Sequence, residues 1–217
     1  MLKQELKHFN FDDLVAGLCK DRCQTIPTPD VALVCGVSAV GKSTLINELI
    51  SKHPDKLGYV TPYTTRPLRE GECGKVSITL TDFHDRQRNG EFVHVKDYYG
   101  FQYGMSGEVL SEIKNTGRLP IVDFPLSDVC CLRDRGINTD TIYVFPYSIQ
   151  EWYERLAKSG RNIRSRIEIG IRELYPFVRG QYSLSNLLDV VNFALINRDG
   201  AIADAALRLE NYLGLNC

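Results

Sequence analysis

Three features of the sequence predict an α/β fold: a parallel sheet with helices on both faces. Short apolar runs alternate with segments of helical period from residue 31 to the C-terminus. The first run, Val31 to Cys35, opens into a glycine-rich turn and then a helical pattern. Composition is that of a globular chain, with 43% hydrophobic and 24% charged residues over 217 positions, enough for one domain with an excursion.

Residues 2–23 interleave charges with Leu2, Leu6, Phe9, Phe11, Leu14, Val15 and Leu18, which predicts one or two short amphipathic helices. Pro27 and Pro29 make residues 25–29 an extended linker. Residues 1–30 therefore form an N-terminal extension that packs on the core or contributes to a homodimer, and residues 31–217 form the main domain. No apolar run approaches the ~18 residues of a membrane span, and the N-terminus lacks the h-region of a secretory signal. A net charge of −1 gives no basic field for nucleic acid. The seven cysteines show no metal-ligand spacing and read as reduced thiols of a cytoplasmic protein.

Gly36-x-x-x-x-Gly41-Lys42-Ser43 stands between the first strand and a helix that His53-Pro54 ends near Lys52. Strand, glycine loop and helix in that order form the phosphate cradle of a P-loop NTPase fold. Backbone N–H groups of Gly36, Ser38, Ala39, Val40 and Gly41 turn around an anion, and the helix start at Ser43 and Thr44 adds partial positive charge. Lys42 reaches the β- and γ-phosphates, and the Ser43 hydroxyl holds Mg²⁺. The expected ligand is a nucleoside triphosphate.

The pattern then predicts a strand at 57–63, a polar turn at 64–72 with Arg66 and Arg69, a strand at 77–81, a helix at 82–88, a turn at Asn89-Gly90 and a strand at 91–96. Residues 63–106 read as a small α+β insertion. The alternation resumes with a helix at 107–115, a strand at 119–124, a helix at 126–133, a strand at 141–145 and a helix at 149–158. The basic stretch 159–166 leads into a helix to about residue 178, and a strand at 190–196 and a helix at 201–212 close the chain. Ligands of a parallel sheet collect at the strands' carboxyl ends, where the loop, Asp123 and Asn197 fall.

Thr64-Thr-Arg-Pro-Leu-Arg-Glu-Gly-Glu72 resembles the T-T-R-x-P-R-x-G-E segment of the guanylate kinase family. Asn89-Gly-Glu-Phe92, Gly100-Phe-Gln-Tyr-Gly104, Val122-Asp123, Ile163-Arg-Ser-Arg-Ile167, Glu173-Leu174 and Ile196-Asn197 continue the resemblance in order, so that it covers about residues 31 to 213. It implies a kinase that uses ATP and Mg²⁺ on a small phosphorylated acceptor, bound by the 63–106 insertion under a short lid at 158–166. Arg66, Arg69 and Tyr103 would hold the acceptor phosphate, which forked guanidinium donors suit. Arg155, Arg161 and Arg166 would close over the triphosphate and, with Lys42 and Arg66, neutralise charge on the transferred group. Asp123 would orient Mg²⁺ beside the acceptor, and Asn197 would lie on the adenine side.

The resemblance breaks at the family's guanine-reading positions, which here are Pro62, His94, Met105 (with Ser106 adjacent) and Pro125. A site built to hydrogen-bond one base rejects analogues because unmatched buried polar groups are costly. The expectation is therefore an acceptor other than GMP, a sugar phosphate or another nucleotide. One alternative is guanylate kinase itself with a rearranged pocket. The other is a non-catalytic guanylate kinase-like interaction module, which the retained Gly41, Lys42 and Ser43 argue against.

Overall fold

The computed structural model describes residues 11–19, 28–68, 70–72, 74–98, 100–160, 163–178 and 190–216. Arg69, Arg161 and most of the N-terminal extension lie outside them.

Strand β1 (Val31–Cys35) is buried at every position and sits at the centre of a five-stranded parallel sheet. A central parallel strand is covered on both faces, so a run of apolar residues suits it better than alternation. With β2 (Leu57–Tyr59), β7 (Leu119–Asp123), β8 (Thr139–Pro146) and β9 (Phe193–Asn197) the order is β2-β7-β1-β8-β9. All five carboxyl ends face one edge.

Helix α2 (Lys42–Lys52) buries Leu45, Ile46 and Leu49. Helices α4 (Gly107–Asn115), α5 (Val129–Arg133), α6 (Ile149–Lys158), α7 (Ile163–Val178) and α8 (Ile202–Tyr212) supply the remaining cover. In the extension, α1 (Phe11–Cys19) packs against β9, burying Phe11 and Val15. Phe11 meets the Phe145 ring at 5.6 Å between centroids.

A second sheet, ordered β4-β3-β6-β5, is built from β3 (Tyr63–Thr64), β4 (Val76–Ser77), β5 (Phe92–Tyr98) and β6 (Phe101–Ser106). Helix α3 (Leu80–Arg88) covers one face, where Phe83 meets Phe92 at 4.8 Å and Phe92 meets Tyr63 at 5.7 Å. The other face carries Thr64, Tyr103 and Lys96 in one cross-strand row and Met105 and His94 in the next. A bulge between Phe92 and His94 lets neighbours on one strand serve opposite faces.

Several elements differ from the sequence expectation. The strand expected at 57–63 is two strands in different sheets, because Pro62 cannot donate to a ladder and its carbonyl instead accepts from Val76 N–H at 3.0 Å. The strand expected at 77–81 stops at Ser77, since Thr79 turns the chain into α3 by accepting from Asp82 N–H at 3.1 Å. Strand β6 was not expected. It forms because Gly100, at φ 77°, reverses the chain so that Phe101 pairs with Tyr98. Strand β8 begins earlier than expected because Thr139 accepts from Arg133 Nε at 2.9 Å and Asp140 from Tyr212 OH at 2.8 Å, giving buried polar groups partners.

Gly170 in α7 lies against the buried Trp152 ring, where a Cβ would overlap ring carbons. Alanine gains about 1 kcal/mol of helix propensity, but overpacking a filled core costs about 1–3 kcal/mol. We expect Gly170→Ala to lower the denaturation midpoint; a midpoint equal to or above the parent's would show that the ring yields freely.

Candidate active site

The loop between β1 and α2 is shaped by two glycines. Gly36 has φ 136° and Gly41 φ 99°, and a Cβ at either would strike a neighbour, the Val144 carbonyl or the Asn197 side chain. Ala39 between them also has positive φ, 65°, a strained value for an L-residue. The loop's carbonyls are bonded by side chains. Trp152 Nε1–H donates to Ser38 O at 2.8 Å, and Arg155 Nη1 and Asn197 Nδ2 donate to Val40 O at 3.1 and 2.9 Å. The Lys42 ammonium donates to Gly36 O at 2.5 Å and Val37 O at 3.0 Å. The N–H groups of Ala39, Gly41, Lys42 and Ser43 have no hydrogen-bond partner among the described residues. Ser43 and Thr44 are exposed at the helix start.

Asp123 ends β7 beside β1, in register with Val34. Tyr59 OH donates to its Oδ1 at 2.9 Å. Burial first, and then the Asp123 charge, push the Tyr59 phenol above its ordinary range, so it stays a donor. An exposed Ser43 hydroxyl and a strand-end carboxylate with one oxygen held by a phenol are hard oxygen donors of the kind Mg²⁺ takes.

The three expected lid arginines are not equivalent. Arg166 in α7 reaches the loop, its Nη1 donating to Ser38 Oγ. Arg155, expected on the lid side, donates its Nη1 to Val40 O of the loop and forms an ion pair with Glu151 at 2.6 Å. A helical i, i+4 carboxylate fixes it there. Arg161 falls outside the described residues.

Just after β3, Arg66 Nε donates to Tyr103 OH at 3.2 Å, and its Nη2 meets both oxygens of Glu72 at 2.6 and 2.7 Å. The Glu72 bonds come first among the causes that raise the Arg66 pKa, leaving a permanently charged and oriented fork. Arg69, expected beside it, lies outside the described residues.

The next row of the same sheet face holds His94. Its Nε2 lies 3.0 Å from Asp128 Oδ2, and its ring meets Phe124 at 4.7 Å. Lys96 Nζ donates to Asp128 Oδ1 at 2.8 Å and to Ser127 Oγ at 3.0 Å. Burial raises the Asp128 pKa, but bonds from His94, Lys96 and Ser127 outweigh it and hold the carboxyl well below the usual range. Met105, expected against the acceptor, is buried in the hydrophobic core. Ser106 caps α4, accepting from Val109 N–H at 3.4 Å. Pro62 is half-buried at the β2–β3 junction. Lys96 and Asp128 were missed by sequence reasoning. Period-two alternation from His94 puts Lys96 on its face, but nothing local marks Asp128, whose partners are about thirty residues away.

A parallel sheet with a glycine cradle at its carboxyl edge defines a P-loop nucleotide-binding protein. The guanylate kinase family model matches residues 29–175. Guanylate kinase of Schizosaccharomyces pombe is 31% identical over 138 residues, covering 62% of this chain and 68% of that protein. That of Buchnera aphidicola is 27% identical over 192 residues, covering 85% and 92%. Guanylate kinase 1 of Oryza sativa is 28% identical over 170 residues, 77% of this chain but 44% of the relative, so the chain spans less than half of that longer protein. The crystal structure of guanylate kinase from Anaplasma phagocytophilum shares the fold with a TM-score of 0.58, at 19% identity and 88% coverage of each chain. The chain belongs to the guanylate kinase family, a family of P-loop kinases. Among the described residues no helix is long and apolar enough to cross a membrane.

A carboxylate whose folded pKa is depressed contributes stability that is present above its unfolded value, about 3.9, and lost as pH falls through the folded value. Asp128→Asn is therefore expected to lower stability at pH 7, with the gap from the parent closing below about pH 4 in denaturation series. A gap that does not change with pH would contradict the ionised assignment.

Proposed function

We propose that this protein is an ATP-dependent phosphotransferase of guanylate kinase type. It moves the γ-phosphoryl group of ATP onto a phosphate oxygen of an acceptor nucleotide, ATP and GMP giving ADP and GDP. The observation that carries this reading is the pairing of a back-anchored phosphate loop with the Arg66–Tyr103–Glu72 cluster on the opposing sheet. The names of the relatives favour GMP over the guanine-free acceptor expected from the sequence. The guanine-free reading keeps one observation in its favour: of the positions expected to read guanine, Met105 is buried in the core and His94 is bound to Asp128.

In this scheme the loop N–H groups and Lys42 hold the triphosphate, and Arg66 holds the acceptor phosphate with Tyr103. Arg166, from α7, neutralises charge spreading onto the group in transfer. Positioning two anions against each other is most of what such a reaction asks of a protein. Mg²⁺, held by Ser43 and oriented through Asp123, would supply charge neutralisation at the β- and γ-phosphates. Adenine lies toward Asn197.

Steady-state rates with GMP, AMP, UMP and ribose 5-phosphate test the reading; turnover with GMP and not with the others is expected. Lys42→Ala should weaken ATP binding at least tenfold by calorimetry, and Arg66→Lys should raise the acceptor KM at least tenfold, since a point charge cannot reproduce the fork. No turnover with any phosphorylated acceptor, or ATP affinity untouched by Lys42→Ala, would overturn it.

A further inference from the structure

His94, Lys96 and Asp128 form a charged cluster on the acceptor face of the second sheet, outside the phosphate-holding group. Lys96 is the direct cross-strand partner of Tyr103, whose hydroxyl holds Arg66, so the cluster begins in the Tyr103 row and runs into the next, at His94. Asp128 comes from the first sheet's side, in the 3-10 turn Leu126–Asp128 that follows β7. Its carboxylate bonds directly to β5, to His94 at 3.0 Å and Lys96 at 2.8 Å, where the His94 ring also meets Phe124.

Hydrogen-bond capacity tells the cluster's chemistry. An ionised carboxylate offers about four acceptor positions. Lys96 Nζ and Ser127 Oγ take two on Oδ1, and His94 Nε2 takes one on Oδ2. One position on Oδ2 stays open on a side chain that is 17% exposed. His94 and Lys96 keep Asp128 charged in a half-buried place, against the burial that disfavours the charged form. What the cluster presents is thus a fixed anionic acceptor, backed by the Lys96 ammonium and the His94 imidazole. Its complement is an N–H donor.

We propose that Asp128 is the specificity-determining residue for the acceptor's base. It reads a ring N–H or amino donor of a nucleoside monophosphate, in place of an acid at the His94 position. The inference rests on the guanylate kinase-type reading of the same site. His94 and Lys96 are positioning residues: they act through the carboxylate and set its direction and charge. An acceptor with a donor-bearing base gains a charge-assisted bond here, and one with no base gains nothing.

Calorimetric binding to the full chain, with GMP and ribose 5-phosphate as probes, tests this directly, and turnover with ATP is measured alongside. Asp128→Asn keeps shape while removing the charge, and it should weaken GMP binding at least tenfold while leaving ribose 5-phosphate binding within twofold. Asp128→Glu should recover part of the GMP affinity, which a merely structural role would not produce. Lys96→Gln, which leaves the carboxylate in place, should weaken GMP less than Asp128→Asn does. Equal losses for both probes, unchanged GMP affinity in Asp128→Asn, or no GMP binding by the parent would overturn the inference. GMP binding that depends on Asp128 without phosphoryl transfer from ATP would uphold the inference and sink the kinase reading instead. GDP formation that is indifferent to Asp128 would do the reverse.

Discussion

The architecture turns on the way the phosphate loop is held from behind. Its carbonyls are bonded by Trp152, Arg155 and Asn197, donors from α6 and from the end of β9. Backbone groups must find partners, and with the carbonyls engaged, the loop's unspent capacity is its N–H groups. A segment with positive φ at Gly36, Ala39 and Gly41 would otherwise be a poor candidate for a single conformation. The apolar core serves this arrangement: Trp152 is both a fully buried core residue and the donor that fixes Ser38 O.

The same logic of fixed charge runs through the opposing sheet. Arg66 is oriented by Glu72 and Tyr103, and Asp128 by His94, Lys96 and Ser127. Both groups are paired before any ligand arrives, so little rearrangement is needed to present them, the condition under which electrostatic stabilisation is most effective. The second sheet thus carries a fixed cation at Arg66 and, bonded to β5, a fixed carboxylate at Asp128.

Much of this was legible in the sequence. The loop, Asp123 and Asn197 follow or occupy strand ends, which are marked by apolar runs that stop, and Lys42 and Ser43 open the helix beyond the loop. Arg66 and Tyr103 were legible only through the family resemblance, because an R-x-x-R pair in a polar turn carries no local signal of direction. Arg155 is a related case: helical spacing to Glu151 shows that the two can pair, but not that the guanidinium also reaches Val40 O of the loop. Met105 and Ser106 were judged by position in a motif, whereas β6, a strand the pattern did not announce, decides that one is core and the other a helix cap. Asp128 depends on contacts with His94 and Lys96 that only the packed sheet creates.

Amide NMR during titration with ATP and Mg²⁺ probes the back-anchored cradle most directly. The account predicts saturable shifts concentrated on the N–H groups of Ala39, Gly41, Lys42, Ser43 and Thr44, the groups with room to meet a phosphate. Saturation with those resonances unmoved, or shifts gathered on the surface of α3 or α8 instead, would contradict it.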